Sequence, residues 1–310
     1  MGKDLNEPRV VIVTRKSPLE HLIHRHGTLD QARFYLKTRG RSIDPHREAH
    51  ERFEAGLATV MRSLPADRRR VRVDRDELDR FLFAPDDVVV VVGQDGLVPN
   101  VAKYLHGQSA IGVNPDPGRW DGVLCRHAPE ALGPVLGWLA EGAPAEGPFC
   151  IEARPLAVAE REDGQKLRAL NEVFIGHRSH QSARYRLRIG GREERHSSSG
   201  LICATGTGAT GWALSIASQR GVTELLPAPC EPALVWLVRE PFPSVSTGTT
   251  LQHGTIVAYE WALEVVSEMG EGGVVFADGI ESDWLELVDG QSVTVRIDEH
   301  ALRLVVPASR

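Results

Sequence analysis

The chain has 310 residues, of which 42% are hydrophobic and 25% charged, and its formal net charge is -6. This length is enough for two domains with separate cores, and the composition is typical of a globular protein. The negative net charge gives no sign of a nucleic-acid or membrane surface. A site for an anionic ligand must therefore obtain its positive potential locally, from backbone N–H groups, helix N-termini or a metal ion.

The four cysteines lie far apart, with no C-x-x-C pair among them. This spacing argues against a disulfide framework or a zinc ribbon and fits a reducing compartment. The first eight residues are polar, and no stretch of the sequence approaches the ~18 apolar residues of a membrane span. The sequence therefore predicts a cytoplasmic protein without a secretory signal.

Short apolar runs in the first half of the chain predict β-strands, and the spacing between His50 and Leu64 is helical. The candidate strands are residues 9–14, 71–73, 86–93 and 110–114. The third run contains five consecutive valines, which are too few for a helix and favour a central strand buried on both faces. Strands that alternate with helical segments indicate an α/β domain with a parallel, Rossmann-like sheet.

Glycine, alanine and proline crowd together between Glu141 and Pro148, and the pattern of the sequence changes there. We place a domain boundary at this point, with one domain over residues 1–145 and a second over residues 146–310. Short alternating segments beyond the boundary predict a β-rich sandwich, interrupted by one helix from about Thr210 to Arg220. Its candidate strands are residues 185–189, 201–204, 233–238, 273–277, 284–288, 293–297 and 302–306.

Gly93-Gln94-Asp95-Gly96 follows the valine strand directly. Ligands of open α/β sheets bind outside the carboxyl ends of the strands, and glycines there let backbone N–H groups approach a phosphate. Asp95 is then a carboxylate beside a phosphate site, able to accept a proton from an attacking hydroxyl or to help hold a metal. The alternative is that Asp95-Gly96 is simply a turn after a strand.

Two segments of the second half also carry possible binding groups. The glycine-rich loop from Ala204 to Trp212 leads from a strand into a helix, the layout in which a helix N-terminus receives an anion. It is neither a Walker A motif nor a Rossmann fingerprint, and its alternating threonines and glycines would also suit a linker. Asn171 and Glu172 stand where an apolar run begins, so they could bind the hydroxyls or base edge of a nucleotide or merely start a strand.

Three other groups of residues favour ordinary surface or turn roles. His46 and His50 have the i, i+4 spacing of a helical metal pair, but no acidic or cysteine partner lies at a suitable spacing nearby. The basic run over residues 68–72 is interpreted as a solvated charged face. Asp278-Gly279 resembles an Asp-Gly pair in the C-terminal domain of a known family, and a hairpin turn explains it equally well.

Taken together, these segments resemble the NAD kinase family, which belongs to a wider superfamily with diacylglycerol and sphingosine kinases. The loop at residues 93–96 is similar to the family's G-G-D-G-T loop, and Asn171-Glu172 to its N-E motif. Residues 205–215 are similar to its T-P-T-G-S-T-A-Y loop and the serine beyond it. The similarity is greatest to the mitochondrial-type branch, and four segments carry it in order: residues 111–117, 168–176, 198–208 and 239–241.

The resemblance implies an enzyme that transfers the γ-phosphate of ATP to the adenosine ribose 2′-hydroxyl of NAD, giving NADP. Asp95 would be the base, and Gly93, Gln94 and Gly96 would line the donor phosphates. Mg²⁺ would arrive with the nucleotide rather than be fixed by the protein, and the protein would be a homodimer. The residues expected to bind NAD are Asn114, Asn171, Glu172, Thr205, Thr207, Gly208, Thr210, Trp212 and Ser215.

The chain departs from the family pattern at three positions. Gln94 replaces the second glycine of the loop, Leu97 its threonine, and Trp212 the usual tyrosine. Gln94 either obstructs the approach of the backbone to a phosphate or donates a hydrogen bond of its own. The alternatives are therefore a catalytically silent NAD(P)-binding regulatory protein, or a kinase of the same fold with another donor or acceptor. A Rossmann oxidoreductase would need a G-x-G-x-x-G after the first strand, which residues 14–17 do not provide.

Overall fold

The computed structural model describes residues 8–257, 262–280 and 283–308. The chain divides into two compact units. The first contains the residues up to Glu152 together with those from Arg303 onwards, and the second is Ala153–Leu302. The boundary proposed after residue 145 precedes this division, and no local sequence signal marks the return of the last strand to the first unit. No helix in the described ranges combines the length and the apolar character that crossing a membrane requires. The prediction that no secretory signal is present rests on the first eight residues, of which all but Pro8 lie outside the described residues.

The first unit is built on a parallel sheet. Its strands are β1 (Val10–Thr14), β2 (Arg70–Asp74), β3 (Val88–Val92) and β4 (Ser109–Val113). Their order is β2-β1-β3-β4, and residues 303–305 of the last strand of the chain pair in parallel with the outer side of β4. All five residues of β3 are buried, which confirms the central strand predicted from its valines.

Five helices accompany this sheet: α1 (Pro18–His26), α2 (Leu29–Lys37), α3 (Asp44–Ser63), α4 (Leu97–Ala102) and α5 (Leu132–Ala140). The helical spacing seen between His50 and Leu64 is the second part of α3, which begins earlier than predicted. Helix α1 was not predicted, although Ser17 and Glu20 form a capping box at its start. This signal is local and was present in the sequence.

The second unit contains two antiparallel sheets. Its strands are β5 (Phe149–Arg161), β6 (Lys166–Ala169), β7 (Glu172–His177), β8 (Ala183–Ile189), β9 (Arg192–Ser198), β10 (Leu201–Thr205), β11 (Leu234–Val238), β12 (His253–Ile256), β13 (Leu263–Ser267), β14 (Gly273–Ala277), β15 (Trp284–Glu286) and β16 (Ser292–Pro307). One sheet has the order β12-β11-β10-β7-β14-β15, and β9, β8, β13 and the first part of β16 are neighbours in the other. Side chains of both sheets share one core, among them Ile175 and Trp236 from the first and Tyr185 and Val265 from the second. The predicted sandwich is therefore confirmed.

Two details of the second unit differ from the sequence analysis. The separate strands predicted over residues 293–297 and 302–306 are one continuous strand, β16, because no Gly or Pro interrupts the chain between them. The predicted helix is confirmed as α6 (Trp212–Arg220), which ends at Gly221 in the left-handed conformation. Several elements of the two units were not predicted, among them α2, α4, α5, β5 and β9.

One glycine of the first unit allows a close approach between two backbone segments. A Cβ atom on Gly112 in β4 would lie 2.2 Å from the carbonyl oxygen of Leu124 and 2.7 Å from the Cα of Cys125. Both contacts are with backbone, which cannot move aside as the end of a flexible side chain can. Gly112 is therefore the residue that lets the segment at Leu124 and Cys125 lie against the sheet.

We expect Gly112→Ala to lower the free energy of unfolding by about 1–3 kcal/mol, because overpacking a rigid site costs that much. The matched control is Gly137→Ala in α5, where a Cβ atom would meet nothing within 4 Å. In a helix interior this second change is expected to stabilise by roughly 0.5–1 kcal/mol. Urea unfolding of both variants measures the effect, and equal transition midpoints for the two would contradict the assignment.

Candidate nucleotide sites

The carboxylate of Asp95 holds a second backbone segment of the first unit. Its Oδ1 accepts hydrogen bonds from the backbone N–H groups of Leu124 and Cys125, and its Oδ2 accepts one from Val123, each at 2.8 Å. Three successive N–H groups that point at one carboxylate form a backbone anion site. The loop after β3 is thus tied to residues 123–125 through the charge of Asp95.

The same arrangement leaves Asp95 one position at which it can accept a further hydrogen bond. An ionised carboxylate has about four lone-pair sites, two on each oxygen. Both sites of Oδ1 are used, and one of the two sites of Oδ2 is used. The second lone pair of Oδ2 therefore accepts no hydrogen bond from the described part of the chain. The neighbouring Cys125 is no nucleophile, because burial and then the charge of Asp95 raise the pKa of its thiol.

The two substitutions in the loop after β3 have different structural explanations. Leu97 is fully buried at the start of α4, where a threonine hydroxyl would need a partner within the core. A Cβ atom on Gly93 would lie 3.3 Å from Cδ2 of Leu97, so the Leu97 side chain packs against the loop. Gln94 is partly exposed, and its Oε1 accepts a hydrogen bond of 2.6 Å from Nη2 of Arg15. Its side chain is thus held by a residue that follows β1.

Gly93 and Gln94 line a cavity of 470 Å³ that lies wholly within the first unit. Its other polar and charged side chains come from three segments. One follows β1, one follows β4, and the third is the start of α3 with the residues that precede it. These side chains include Arg15, Lys16, Ser17, Arg41, His46, Asp116 and Arg119. A concave site of this size is large enough for a small ligand. This cavity was not predicted, because its residues come from four separate parts of the chain.

The amide of Asn114, predicted to contact NAD, is engaged within its own loop. Its Nδ2 donates to the carbonyl oxygen of Trp120 at 2.8 Å, and its Oδ1 accepts from the backbone N–H of Asp116 at 3.0 Å. Asn114 is buried, so these bonds satisfy a polar group that would otherwise be costly. Its visible role is to shape residues 114–120, and its contact with NAD stays a prediction.

In the second unit, Asn171 and Glu172 lie beside Asp278. The carboxylate of Asp278 accepts hydrogen bonds from the backbone N–H groups of Leu170 and Asn171, at 3.1 and 2.7 Å. Its own N–H donates to the carbonyl oxygen of Glu172 at 3.0 Å. Asp278 has φ +53°, the left-handed conformation, as expected for an Asp-Gly turn. The turn explanation therefore applies to Asp278, whose carboxylate also orders the backbone at Asn171.

The carboxyl group of Glu172 is strongly perturbed. Burial, and secondarily the charge of Asp278, raise its pKa to about 7. Near neutral pH the protonated form is well populated, so this side chain can donate as well as accept a hydrogen bond. Perturbed carboxyl groups are concentrated at functional sites, which fits the role predicted for the Asn171-Glu172 pair.

The threonine- and glycine-rich loop is packed against the same pair. The hydroxyl of Thr205 donates to the carbonyl oxygen of Leu170 and accepts from the backbone N–H groups of Thr207 and Gly208. A Cβ atom on Gly208 would lie 2.3 Å from the carbonyl oxygen of Asn171, so only glycine fits there. Thr205 is thus the residue that fixes the loop, and its hydroxyl is fully engaged.

The remaining predicted residues of this loop lie at the start of α6. Thr210 and Ser215 are exposed, and the ring of Trp212 is half-buried. Trp212 stacks on Phe174 with ring centroids 5.8 Å apart, and the guanidinium carbon of Arg239 lies 4.8 Å from the centre of the indole. Trp212, Phe174 and Arg239 line a second cavity, of 380 Å³, together with Phe276 and others. Phe174 and Phe276 were not predicted to line a cavity, because aromatic residues in buried strands carry no separate signal in the sequence.

One histidine of the α3 pair, His50, contacts side chains near the start of α1. His50 Nδ1 lies 3.0 Å from the hydroxyl of Ser17 and 4.0 Å from a carboxylate oxygen of Glu20, while His46 lines the first cavity. Across residues 8–257, 262–280 and 283–308, no group of three or more His, Cys, Asp or Glu side chains is arranged to hold a metal ion. The basic run over residues 68–72 leads into β2, where Arg72 donates to the hydroxyl of Thr14.

The chain is similar in sequence to NAD kinases. It is 29% identical over 254 residues to NAD kinase 2, mitochondrial, of Rattus norvegicus, a match that covers 67% of this chain and 60% of the relative. It is 34% identical over 161 residues to the NAD kinase of Halorhodospira halophila, with 48% of each chain covered. The chain thus spans about 60% of the length of the mitochondrial relatives that it matches. No protein-family model matches the sequence.

Solved NAD kinase structures share the fold. An NAD kinase from Archaeoglobus fulgidus in complex with ATP superposes with a TM-score of 0.58 at 21% identity, covering 97% of this chain and 93% of that one. Yeast NADH kinase complexed with NADH gives a TM-score of 0.60 at 13% identity, covering 98% and 85%. The fold is therefore that of NAD kinases, and the resemblance inferred from the motifs is confirmed.

We expect Glu172→Gln to remove a pH dependence of stability. Because the folded state raises the pKa of Glu172 from its ordinary value of 4.5 to about 7, it binds a proton that the unfolded chain has lost. The contribution of Glu172 to stability is thus full below pH 4.5 and is lost as the pH rises through about 7. Relative to Glu172→Gln, the wild type should lose about 1–3 kcal/mol between about pH 5 and pH 8. Urea unfolding at both pH values measures this difference.

The matched control for this experiment is Glu224→Gln in the same unit, since Glu224 is exposed. Its substitution should change stability equally at the two pH values. A wild-type difference between the two pH values that persists in Glu172→Gln would show that another group causes it.

Proposed function

We propose that the protein is an NAD kinase, which transfers the γ-phosphate of ATP to the adenosine ribose 2′-hydroxyl of NAD to give NADP. The observation that supports this most is the state of Asp95. It stands in the family's phosphate loop with one lone pair of Oδ2 left to accept a proton. The ordered motifs and the shared fold agree with this activity.

In the proposed reaction, the 2′-hydroxyl of NAD donates its proton to Oδ2 of Asp95 as its oxygen attacks the γ-phosphorus. The bond from that phosphorus to the bridging oxygen breaks, and ADP leaves. Phosphoryl transfer depends mainly on in-line positioning and on charge neutralisation. The three N–H groups of residues 123–125 fix the direction of the carboxylate, so the free lone pair has a defined orientation.

The backbone at Gly93 and Gly96 is proposed to bind the donor phosphates. A Cβ atom on Gly96 would meet nothing within 4 Å, so the backbone at this position is open to a ligand. The donor is expected to carry Mg²⁺, which draws charge from the phosphates. No protein carboxylate is assigned to that metal.

The acceptor NAD is proposed to bind the second unit. The perturbed carboxyl of Glu172 and the amide of Asn171 offer donors and acceptors for ribose hydroxyls, and the loop fixed by Thr205 presents Thr207 and Gly208 beside them. Trp212, Thr210 and Ser215 at the start of α6 are proposed to contribute the adenosine side of the pocket. Asn114, in the first unit, is proposed to act through the loop that it shapes.

A catalytically silent NAD(P)-binding protein is the second candidate function. The observation that favours it is also at Asp95, whose carboxylate has a structural task in holding residues 123–125. On this alternative, NAD binds the second unit and no donor supports turnover. Absence of NADP formation with tight binding of NAD would establish it.

A cytoplasmic location and a homodimeric state belong to the same proposal. The location rests on the cysteine spacing. The dimer rests on the resemblance to the NAD kinase family. Light scattering after size-exclusion chromatography would detect the dimer, and a monomer at micromolar concentration would contradict it.

We expect Asp95→Asn to lower kcat for NADP formation by about 10²–10⁴, the contribution of a general base. A coupled assay with NAD, ATP and Mg²⁺ measures turnover, and calorimetry should show that NAD binding is kept. A variant that retains a tenth or more of wild-type turnover would refute the role of Asp95 as base.

A control must separate the base from the anchor, because the Asp95→Asn substitution places an amide NH₂ against backbone donors. Gly112→Ala disturbs the same segment at Leu124 while leaving the carboxylate intact. If Asp95 is the base, Gly112→Ala keeps far more activity than Asp95→Asn. Comparable losses in the two variants would mean that Asp95 acts only by holding residues 123–125.

A further inference from the structure

The cavity of the first unit lies at the carboxyl ends of three adjacent strands. Arg15 follows β1, Gln94 follows β3, and Asp116 lies two residues beyond Asn114 at the end of β4. In open α/β sheets this is the edge at which ligands bind. A ligand in the cavity would therefore lie beside Gly93 of the phosphate loop.

The walls of this cavity are strongly basic. Arg15, Lys16, Arg41 and Arg119 all line it. Among the described lining residues, Asp116 is the one acid, and it is paired with Nε of Arg52 at 2.8 Å. Lys16 is paired with Asp76 at 3.1 Å, which leaves the three arginines to set the charge of the cavity. Such a site favours a ligand with several negative charges.

Arg15 is the arginine whose environment most requires an anion. Its side chain is half-buried, and its one hydrogen bond in the described part of the chain goes to a neutral amide, Gln94 Oε1 at 2.6 Å. Burial and then the charge of Arg75 lower its pKa, so the cation is held at an energetic cost. About four of its five N–H donors are left for a ligand.

Gln94 holds this cation without neutralising it. A carboxylate in the same place would orient the guanidinium and also cancel its charge, whereas an amide oxygen only orients it. Gln94 can therefore replace a glycine of the phosphate loop, because its side chain holds the guanidinium of Arg15 beside the loop.

We propose that the cavity binds the polyphosphate chain of the phosphate donor, with Arg15 as a direct ligand of that chain and Gln94 as its positioning residue. The role of this cavity in turnover rests on the proposed kinase function, whereas binding of a polyphosphate chain to it does not. The chain can come from a nucleoside triphosphate or from inorganic polyphosphate, and the cavity volume of 470 Å³ admits either.

The test is calorimetric binding of MgATP and of inorganic tripolyphosphate to the full chain, with NAD binding measured separately. Arg15→Ala should raise the donor Kd ~10- to 100-fold, the range of a charge-assisted hydrogen bond, and leave the Kd of NAD unchanged. Arg33→Ala is the matched control, since Arg33 is an exposed arginine of α2 that is paired with Asp30 outside the cavity. Unchanged donor binding in a folded Arg15→Ala protein would overturn the proposal.

The positioning role is tested by two substitutions of Gln94. Gln94→Glu should weaken donor binding more than Gln94→Gly. The new carboxylate neutralises the charge of Arg15, whereas a glycine only removes the hydrogen bond that positions it. The reverse order would overturn the positioning role. Thermal unfolding of each variant confirms that the fold is retained.

The source of the chain and the kinase function are separated by the same measurements. Tripolyphosphate binding that Arg15→Ala weakens supports recognition of the chain alone, and an effect on MgATP only supports a nucleotide donor. If turnover is measurable, the donor KM should rise in Arg15→Ala while the KM for NAD stays constant. Wild-type protein that binds tripolyphosphate through Arg15 but forms no NADP would contradict the kinase function and leave the cavity assignment intact.

Discussion

The first unit depends on a carboxylate placed where three backbone N–H groups converge. Asp95 draws residues 123–125 onto the loop that follows the central strand, and Gly112 provides the space for that segment against β4. The interaction needs both a charge on the loop and the absence of a side chain on the strand. It fixes the orientation of the carboxylate and leaves one lone pair of Oδ2 without a hydrogen bond from the described residues.

In the second unit, too, an aspartate carboxylate accepts hydrogen bonds from backbone N–H groups. Asp278 accepts two backbone N–H groups from Leu170 and Asn171, and its charge then helps to keep a proton on Glu172. In each unit, an aspartate in a turn orders the backbone of the site. The two differ in their neighbours, because Asp278 lies beside a second carboxyl group, that of Glu172, whereas Asp95 accepts hydrogen bonds from three backbone N–H groups.

Local patterns predicted the parts of the fold that local physics decides. Five valines indicated a buried strand, and alternating segments indicated the sandwich, because side-chain shape and burial act over a few residues. The site was predicted in pieces, as Asp95, Asn171-Glu172 and the loop at Thr205, and the family motifs pointed to these pieces in the chain. Their partners were not predictable. The N–H groups that bind Asp95 belong to residues whose side chains carry no signal, and they lie 28 to 30 positions away.

The basic cavity was also not predictable from local sequence patterns. Arg15 and Gln94 are 79 positions apart, and each alone looks like an ordinary surface residue or a flaw in a motif. Only the order β2-β1-β3-β4 makes their strand ends neighbours. Gln94, which departs from the motif, is thus paired with Arg15, a residue outside the motif.

The last strand has a consequence for how the chain is made. His127 Nε2 contacts the carbonyl oxygen of Val305, 178 positions further on, at 2.9 Å, and residues 303–305 close the sheet of the first unit beside β4. During synthesis, residues 109–111 of β4 lack this neighbour until residues 303–305 have left the ribosome. Open strand edges invite association with other chains, and contacts of high sequence separation form slowly. The order of synthesis therefore leaves this part of β4 as an edge that the nascent chain has to keep from aggregating.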